Sequence, residues 1–271
     1  MMFDYDPYLR LSKFPLIWCA GCGDGIILKA LIRAIHKVGL TQDNTCLVSG
    51  IGCSSRLTGY MDFNTLHTTH GRALTFATGV KMARPELNVI VVTGDGDATA
   101  IGGNHFIHAA RRNIDMTVLI FNNFIYGMTG GQVSPTTPRG KKGSTAPYGS
   151  FENTFNISGL AEAAGASFVA RTTVANATQV ELYIKKAIEK KGFSLVEIMT
   201  QCPTAFGRRN RLGAAVDMLR SFAENSVSIS KARSMTAEEL EDKIVTGVLV
   251  DTDRPECREE YQKLIESVRQ S

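Results

Sequence analysis

The sequence predicts an α/β fold: a doubly wound, mostly parallel sheet with helices on both faces, followed by a C-terminal extension. Three observations lead there. From the first cysteine to about residue 202, short apolar runs alternate with segments of helical period, the pattern of βα units joined by right-handed crossovers. The central runs, NVIVVT at 88–93 above all, are apolar and β-branched and bounded by turns, as strands covered on both faces are. After residue 203 the alternation stops. The expected division is therefore an α/β domain over 1–202 and an extension over 203–271 that packs on the domain or on a partner subunit.

The elements follow in order. Residues 25–38 carry Ile27, Leu28, Leu31, Ile32 and Ile35 at helical spacing, with Gly39 as a stop. Residues 45–49 read as a buried strand, and 72–83 as a helix ending before Pro85. The strand at 88–93 runs into a Gly-rich stretch, 94–103, and then a helix at 105–112. Residues 116–121 form the next strand. Residues 127–148 are rich in Gly, Pro, Thr and Ser, and a loop of that length inside a domain is usually functional. Helices at 159–164 and 179–190 alternate with strands at 167–172 and 194–199. Beyond them the pattern yields one amphipathic helix, about 214–223, and a polar tail.

Composition narrows the function classes. The chain has 271 residues, 44% hydrophobic and 21% charged, enough to bury a core without disulfides. A net charge of +4 is too mild to argue for nucleic acid, and the tight basic cluster Arg208, Arg209 and Arg211 reads as a solvated loop or a partner contact. No apolar run approaches the ~20 residues of a membrane span. The N-terminus, with Asp4, Tyr5 and Asp6, lacks a signal-peptide pattern, so a cytoplasmic location is expected. In that reducing compartment the six cysteines are not expected to form disulfides, and the clustered ones are better read as metal ligands or catalytic groups.

Ligands on such sheets bind beyond the carboxyl ends of the strands. Gly94-Asp95-Gly96-Asp97 follows one strand directly, and Asn122-Asn123 follows the next. A carboxylate and an amide oxygen meeting there suit Mg²⁺, and the glycines let the backbone approach a diphosphate. Asp97 either joins that network or caps the following helix. The spacing is not that of a dinucleotide fingerprint. Cys19 and Cys22 form a CxxC, while Cys53 and Cys202 each lie just past a strand end, so four thiolates can meet on the same rim. On spacing alone, an iron–sulfur cluster and zinc are equal choices. Cys46 reads as a core thiol, and Cys257 is given no role.

GDGDATAIGGNHFIHAARRNIDMTVLIFNNFIYG resembles the thiamine diphosphate motif, in which GDG is followed by NN after a little under thirty residues. Together with WCAGCGDG, SGIGCSSR, HTTHGRA, NNFIYGMTGGQ and SPTTP, it makes residues 10–210 resemble the β subunit of 2-oxoacid:ferredoxin oxidoreductases, nearest the 2-oxoglutarate branch. The resemblance implies a thiamine-diphosphate-binding fold. It implies Mg²⁺ held by the Asp95 and Asn123 side chains and the Ile125 carbonyl, and a 4Fe-4S cluster on Cys19, Cys22, Cys53 and Cys202. It also implies cofactor contacts from Gly21, Gly23, His67, His70, Gly94, Gly96, Asp97 and Ile125, with His70 a candidate for proton handling. Arg56, whose guanidinium fork suits a carboxylate, is a candidate for the substrate's, with a salt bridge or interface contact as the equal alternative. A redox cluster suits the electron-rich carbon left when a 2-oxoacid loses CO₂ on this cofactor, whereas zinc offers no redox chemistry.

The activating carboxylic acid has no convincing source here: Glu86, Glu162 and Glu197 lie outside the motifs. In the family it comes from an α subunit. The implied partners are therefore that subunit, as a heterodimer or a dimer of heterodimers, and ferredoxin, with CoA as co-substrate and the isolated chain inactive. Two rivals remain at this point: a non-oxidative thiamine-dependent decarboxylase or synthase, and a zinc-stabilised α/β binding module without catalysis.

Overall fold

The structure is a computed structural model that describes residues 3–270. After two short 3-10 turns, α1 (Asp24–Val38) buries Ile27, Leu28, Leu31, Ile32 and Ile35 along one face. Gly39 ends it in the left-handed conformation, its N–H reaching the carbonyls of Ile35 and His36. β1 (Thr45–Ser49), α2 (Leu57–Tyr60), β2 (Asn64–His67), α3 (Ala73–Ala83), β3 (Asn88–Gly94), α4 (Gly103–Arg111) and β4 (Met116–Asn122) follow. The long loop after β4 holds a small antiparallel pair, β5 (Ile125–Tyr126) and β6 (Gln132–Val133). Then come α5 (Ile157–Ala164), β7 (Phe168–Thr173), α6 (Ala177–Glu189) and β8 (Phe193–Met199). Asn156 and Asn176 cap α5 and α6 by accepting from Gly159 N and Gln179 N.

Among the described residues, eight strands form one sheet in the order β2–β1–β3–β4–β8–β7 and then two strands from the C-terminal region. The six strands from β2 to β7 in that order pair in parallel. Successive side chains feed opposite cores. Leu47, Ile90, Val92, Leu119, Phe121 and Val196 join α1 and α6 on one face. Val48, Val91, Val118, Ile120 and Leu195 join α3, α4 and α5 on the other. This is why the strands read as unbroken apolar runs.

The C-terminal region holds more structure than the polar tail expected of it. After α7 (Ala215–Asn225) come β9 (Ser226–Ser228), α8 (Ile229–Ala232), β10 (Ile244–Asp251) and α9 (Cys257–Gln270). β10 pairs antiparallel with β7 and carries the sheet onward to β9. The run IVTGVLV is β-branched, but Gly247 interrupts it and most of its residues are only half-buried, so it lacks the signature of the inner strands. No helix of the described residues is long and apolar enough to cross a membrane.

The topology also locates a ligand crevice. From β1 the chain moves outward to β2, whereas from β3 it moves the opposite way to β4. The carboxyl ends of β1 and β3 therefore flank the switch point. Leu119, wholly buried at the sheet centre, tests the packing that holds this geometry. Leu119→Ala should cost ~2–5 kcal/mol in a chemical denaturation titration. A loss under about 1 kcal/mol would mean that the core closes around the deletion.

Candidate active site

A cavity of about 160 Å³ opens at the switch point. Its walls are the three strand-end loops: Ile51 to Ser54 after β1, Gly94 to Asp97 after β3, and Asn123 to Thr129 after β4, with His70 beside them. Asp95 is almost fully buried there, and both Ser134 and Thr136 donate to its Oδ2, each at 2.5 Å. Burial pushes its carboxyl up to about 6, while those hydroxyls and the N–H groups of Asp95 and Gly96 pull the other way. Asn123 accepts from Ile125 N through Oδ1 (3.1 Å), which folds the turn back so that Asn123 and Ile125 line the same cavity as Asp95. Phe124 between them has φ 65°, a conformation that costs a non-glycine residue ~1–3 kcal/mol. Carboxylate, amide and backbone carbonyl together form an all-oxygen donor set suited to Mg²⁺.

Asp97 is neither a helix cap nor a lining group alone. Its Oδ1 receives His70 Nδ1 (2.5 Å), Gly71 N (2.7 Å) and Ile51 N (3.3 Å), and its Oδ2 receives Thr93 Oγ1 (2.6 Å). The carboxylate fills the space beside Gly50, where an added Cβ would lie 2.0 Å from Oδ2. The second glycine of GDG answers a different neighbour: a Cβ on Gly96 would lie 2.3 Å from the Tyr126 ring. Tyr126 donates to Gly96 O (3.2 Å), and burial, reinforced by Asp95 and Asp97, raises its phenol to about 12. His70 lines the cavity and makes its bond to Asp97 through Nδ1.

The four candidate cysteines line a second cavity, of about 260 Å³. Their segments are tied together directly. Trp18 Nε1 donates to Cys53 O (2.8 Å), Gln201 Nε2 donates to Gly21 O (3.0 Å), and Cys22 N closes a turn onto Cys19 O (3.0 Å). A Cβ placed on Gly127 would stand 3.3 Å from Cys53 Sγ and 3.5 Å from Cys202 Sγ, so both sulfurs crowd that residue. Burial raises the thiols of Cys22, Cys53 (to about 12) and Cys202, with Asp24 adding to each. Among the described residues, no three His, Cys, Asp or Glu side chains gather closely enough to hold one metal ion. Cys53, Asn123, Gly127 and Met128 line both cavities, which share a wall.

Of the residues singled out in the sequence, Asp95, Asp97, Asn123, Ile125, Gly94, Gly96 and His70 meet in the first cavity, and the four cysteines meet in the second. Gly21 and Gly23 lie in the cysteine loop, against Ala215 and Thr200, and not on the first cavity. His67 ends edge strand β2, bonded to Ser49 Oγ (3.1 Å), and Arg56 is exposed in the 3-10 turn Ser54–Arg56; neither lines either of these two cavities. The sequence reading missed Ser134, Thr136, Thr93 and Tyr126 as partners of the acidic loop. It also missed Asp24, which is fully buried beside Cys22 and Thr200 with neither oxygen in a well-formed hydrogen bond.

A mostly parallel sheet with a cavity at its switch point, walled by Gly94 to Asp97 and Asn123, is the architecture of a cofactor-binding α/β domain. A family model described as the thiamine pyrophosphate enzyme C-terminal TPP binding domain matches residues 50–198. The chain is 53% identical to the 2-oxoglutarate synthase subunit KorB of Methanocaldococcus jannaschii, over 97% of each chain. It is 51% identical to that of Archaeoglobus fulgidus, over 99% of this chain and 96% of the relative. A solved structure of 2-oxoglutarate:ferredoxin oxidoreductase from Magnetococcus marinus, with 2-oxoglutarate, coenzyme A and succinyl-CoA bound, superposes with a TM-score of 0.88 at 35% identity, covering 98% of this chain and 91% of that one. The chain belongs to the KorB family of thiamine pyrophosphate enzyme subunits.

Asp24 generates a pH prediction. Burial raises its carboxyl to about 7, against ~3.9 in an unfolded chain. Between those values the folded metal-free chain binds the extra proton, so this group makes stability fall as pH rises from about 4 to 7. Asp24→Asn should flatten that fall, read as urea midpoints at pH 5 and pH 7. Equal pH dependence in variant and parent would show that the carboxyl does not titrate in this window.

Proposed function

We propose that this chain is the cofactor-binding subunit of an enzyme converting 2-oxoglutarate, CoA and oxidised ferredoxin to succinyl-CoA, CO₂ and reduced ferredoxin, the two electrons leaving singly through a 4Fe-4S cluster on Cys19, Cys22, Cys53 and Cys202. The observation that carries this reading is the wall of Cys53, Asn123, Gly127 and Met128 common to the acidic cavity and the cysteine cavity. A redox group in one then lies next to the reacting centre in the other, an arrangement of no use to a non-oxidative decarboxylase. The substrate assignment is supported by the ligands of the Magnetococcus marinus enzyme and by the names of the KorB relatives.

Asp95, Asn123 and the Ile125 carbonyl would hold Mg²⁺ against the cofactor diphosphate. Thiamine diphosphate, when bound, supplies the electron sink for breaking the bond to the carboxylate. The chain's own residues bind and orient. The Asp97 carboxylate fixes His70 so that Nε2 is the proton-handling atom at the cavity wall. Tyr126 packs on Gly96 and shields the loop backbone there from water. The activating acid comes from the partner subunit in this proposal: Glu86 and Glu162 are exposed, and Glu197 is taken up by Asn122, Ser158 and Arg171 inside the sheet. The reading places the enzyme in the cytoplasm, where its thiols stay reduced.

Asp95→Ala should abolish Mg²⁺-dependent retention of thiamine diphosphate by the complex purified with its partner. Normal cofactor content in that variant would overturn the metal assignment. Cys53→Ala should lower the iron content and the absorbance near 400 nm of anaerobically purified protein while the circular dichroism of the fold persists. Unchanged iron in the variant would rule Cys53 out as a ligand, and zinc in place of iron in the parent protein would remove the cluster from the mechanism.

A further inference from the structure

The segment SPTTP, at residues 134–138, contributes no ligand to either cavity, yet its hydroxyls are buried at the metal site. Ser134, Thr136 and Thr137 are 6%, 0% and 2% exposed. Buried hydroxyls are costly unless paired. Here Ser134 Oγ and Thr136 Oγ1 both donate to Asp95 Oδ2 at 2.5 Å, and the two hydroxyl oxygens lie 3.0 Å apart. Thr137 Oγ1 donates to the Phe124 carbonyl at 2.5 Å while accepting from Ser134 N at 2.9 Å. A backbone bond from Thr137 N to Ser134 O closes the four residues into one turn, and the prolines at 135 and 138 restrict its backbone.

The turn therefore grips both arms of the proposed metal site at once. One arm is Asp95, at the end of β3. The other is the Phe124–Ile125 backbone after β4, where Phe124 is held at φ 65°. We infer that Ser134 and Thr136 are positioning residues that saturate Oδ2 of Asp95, so that the carboxylate meets the cation through Oδ1 alone, while Thr137 holds the backbone that aims the Ile125 carbonyl. Mg²⁺ accepts little departure from octahedral geometry, and a carboxylate free to swing into a two-oxygen grip would not supply it. Charge-assisted bonds from two hydroxyls to one oxygen prevent that swing. The turn also makes metal binding report on the order of the whole 127–155 loop, because Phe155 N is bonded to Pro135 O at 2.9 Å.

This inference rests on the proposed metal role of Asp95, and the experiment separates the two. The protein is purified with its partner subunit, and Mg²⁺ is titrated calorimetrically in the presence of thiamine diphosphate. Ser134→Ala, Thr136→Val and the double variant should weaken Mg²⁺, the double by roughly 10–100-fold, as loss of outer-shell partners does. Thr136→Ser, which keeps the hydroxyl, should restore affinity to near the parent value. Thermal melting of each metal-free variant accompanies the titration: a melting point that falls while Mg²⁺ affinity holds would make the turn merely structural and overturn the inference. Variants that bind Mg²⁺ within about twofold of the parent would overturn it alone. A parent that shows no Mg²⁺-dependent binding would overturn it together with the assignment of Asp95. If the double variant does not fold, the Thr136→Val and Thr136→Ser pair decides by the same readings.

Discussion

The site depends first on one buried carboxylate. Asp97 is 3% exposed, and an unpaired charge at that depth would cost several kcal/mol. Its stability comes from four donors: Ile51, His70, Gly71 and Thr93. Those donors belong to the loop after β1, the turn before α3 and the end of β3. Satisfying Asp97 therefore fixes three segments against one another at the switch point. The same bonds set the imidazole of His70 and lay the Gly50–Ile51 backbone along the acidic loop. Core packing brings the strand ends near each other, and this carboxylate gives the loops between them a single arrangement.

The cysteine side of the rim is organised by the same device with neutral groups. Trp18 and Gln201 reach across from two chain segments to the Cys53 carbonyl and the Gly21 carbonyl. Each bond joins one cysteine-bearing segment to another, so the segments carrying Cys19–Cys22, Cys53 and Cys202 hold together although they are far apart in sequence. Cys53 directly follows the loop that Asp97 anchors through Ile51. The two cavities thus share more than a wall. The β1 loop belongs to both, and a change in its position reaches the metal site and the thiols together.

Much of this was legible before the structure. Strands covered on both faces show themselves as apolar runs, and the residues that follow a strand end must lie on the rim, so GDG, NN and two of the cysteines were placed by topology alone. Contacts made across the chain were not legible. Ser134 and Thr136 lie about forty positions from Asp95 in a loop without period, and nothing in a hydroxyl announces its acceptor. His67 and His70 looked alike in sequence but part company because β2 ends at His67, leaving it on an edge strand, while His70 sits in the turn that Asp97 captures. β10 escaped notice for the converse reason. It is an outer strand, half-exposed and broken by Gly247, and the two-sided apolar rule does not apply to it.

Electrostatics sets what loading the cysteine cavity with a metal centre would require. Burial disfavours the thiolate form of Cys22, Cys53 and Cys202, and the nearby Asp24 carboxylate disfavours it further. Asp24 is itself raised by burial, so the fold prefers a neutral pocket when nothing positive is present. A cationic centre reverses every one of these preferences, because it attracts thiolate and carboxylate alike, and loading the pocket must therefore release protons.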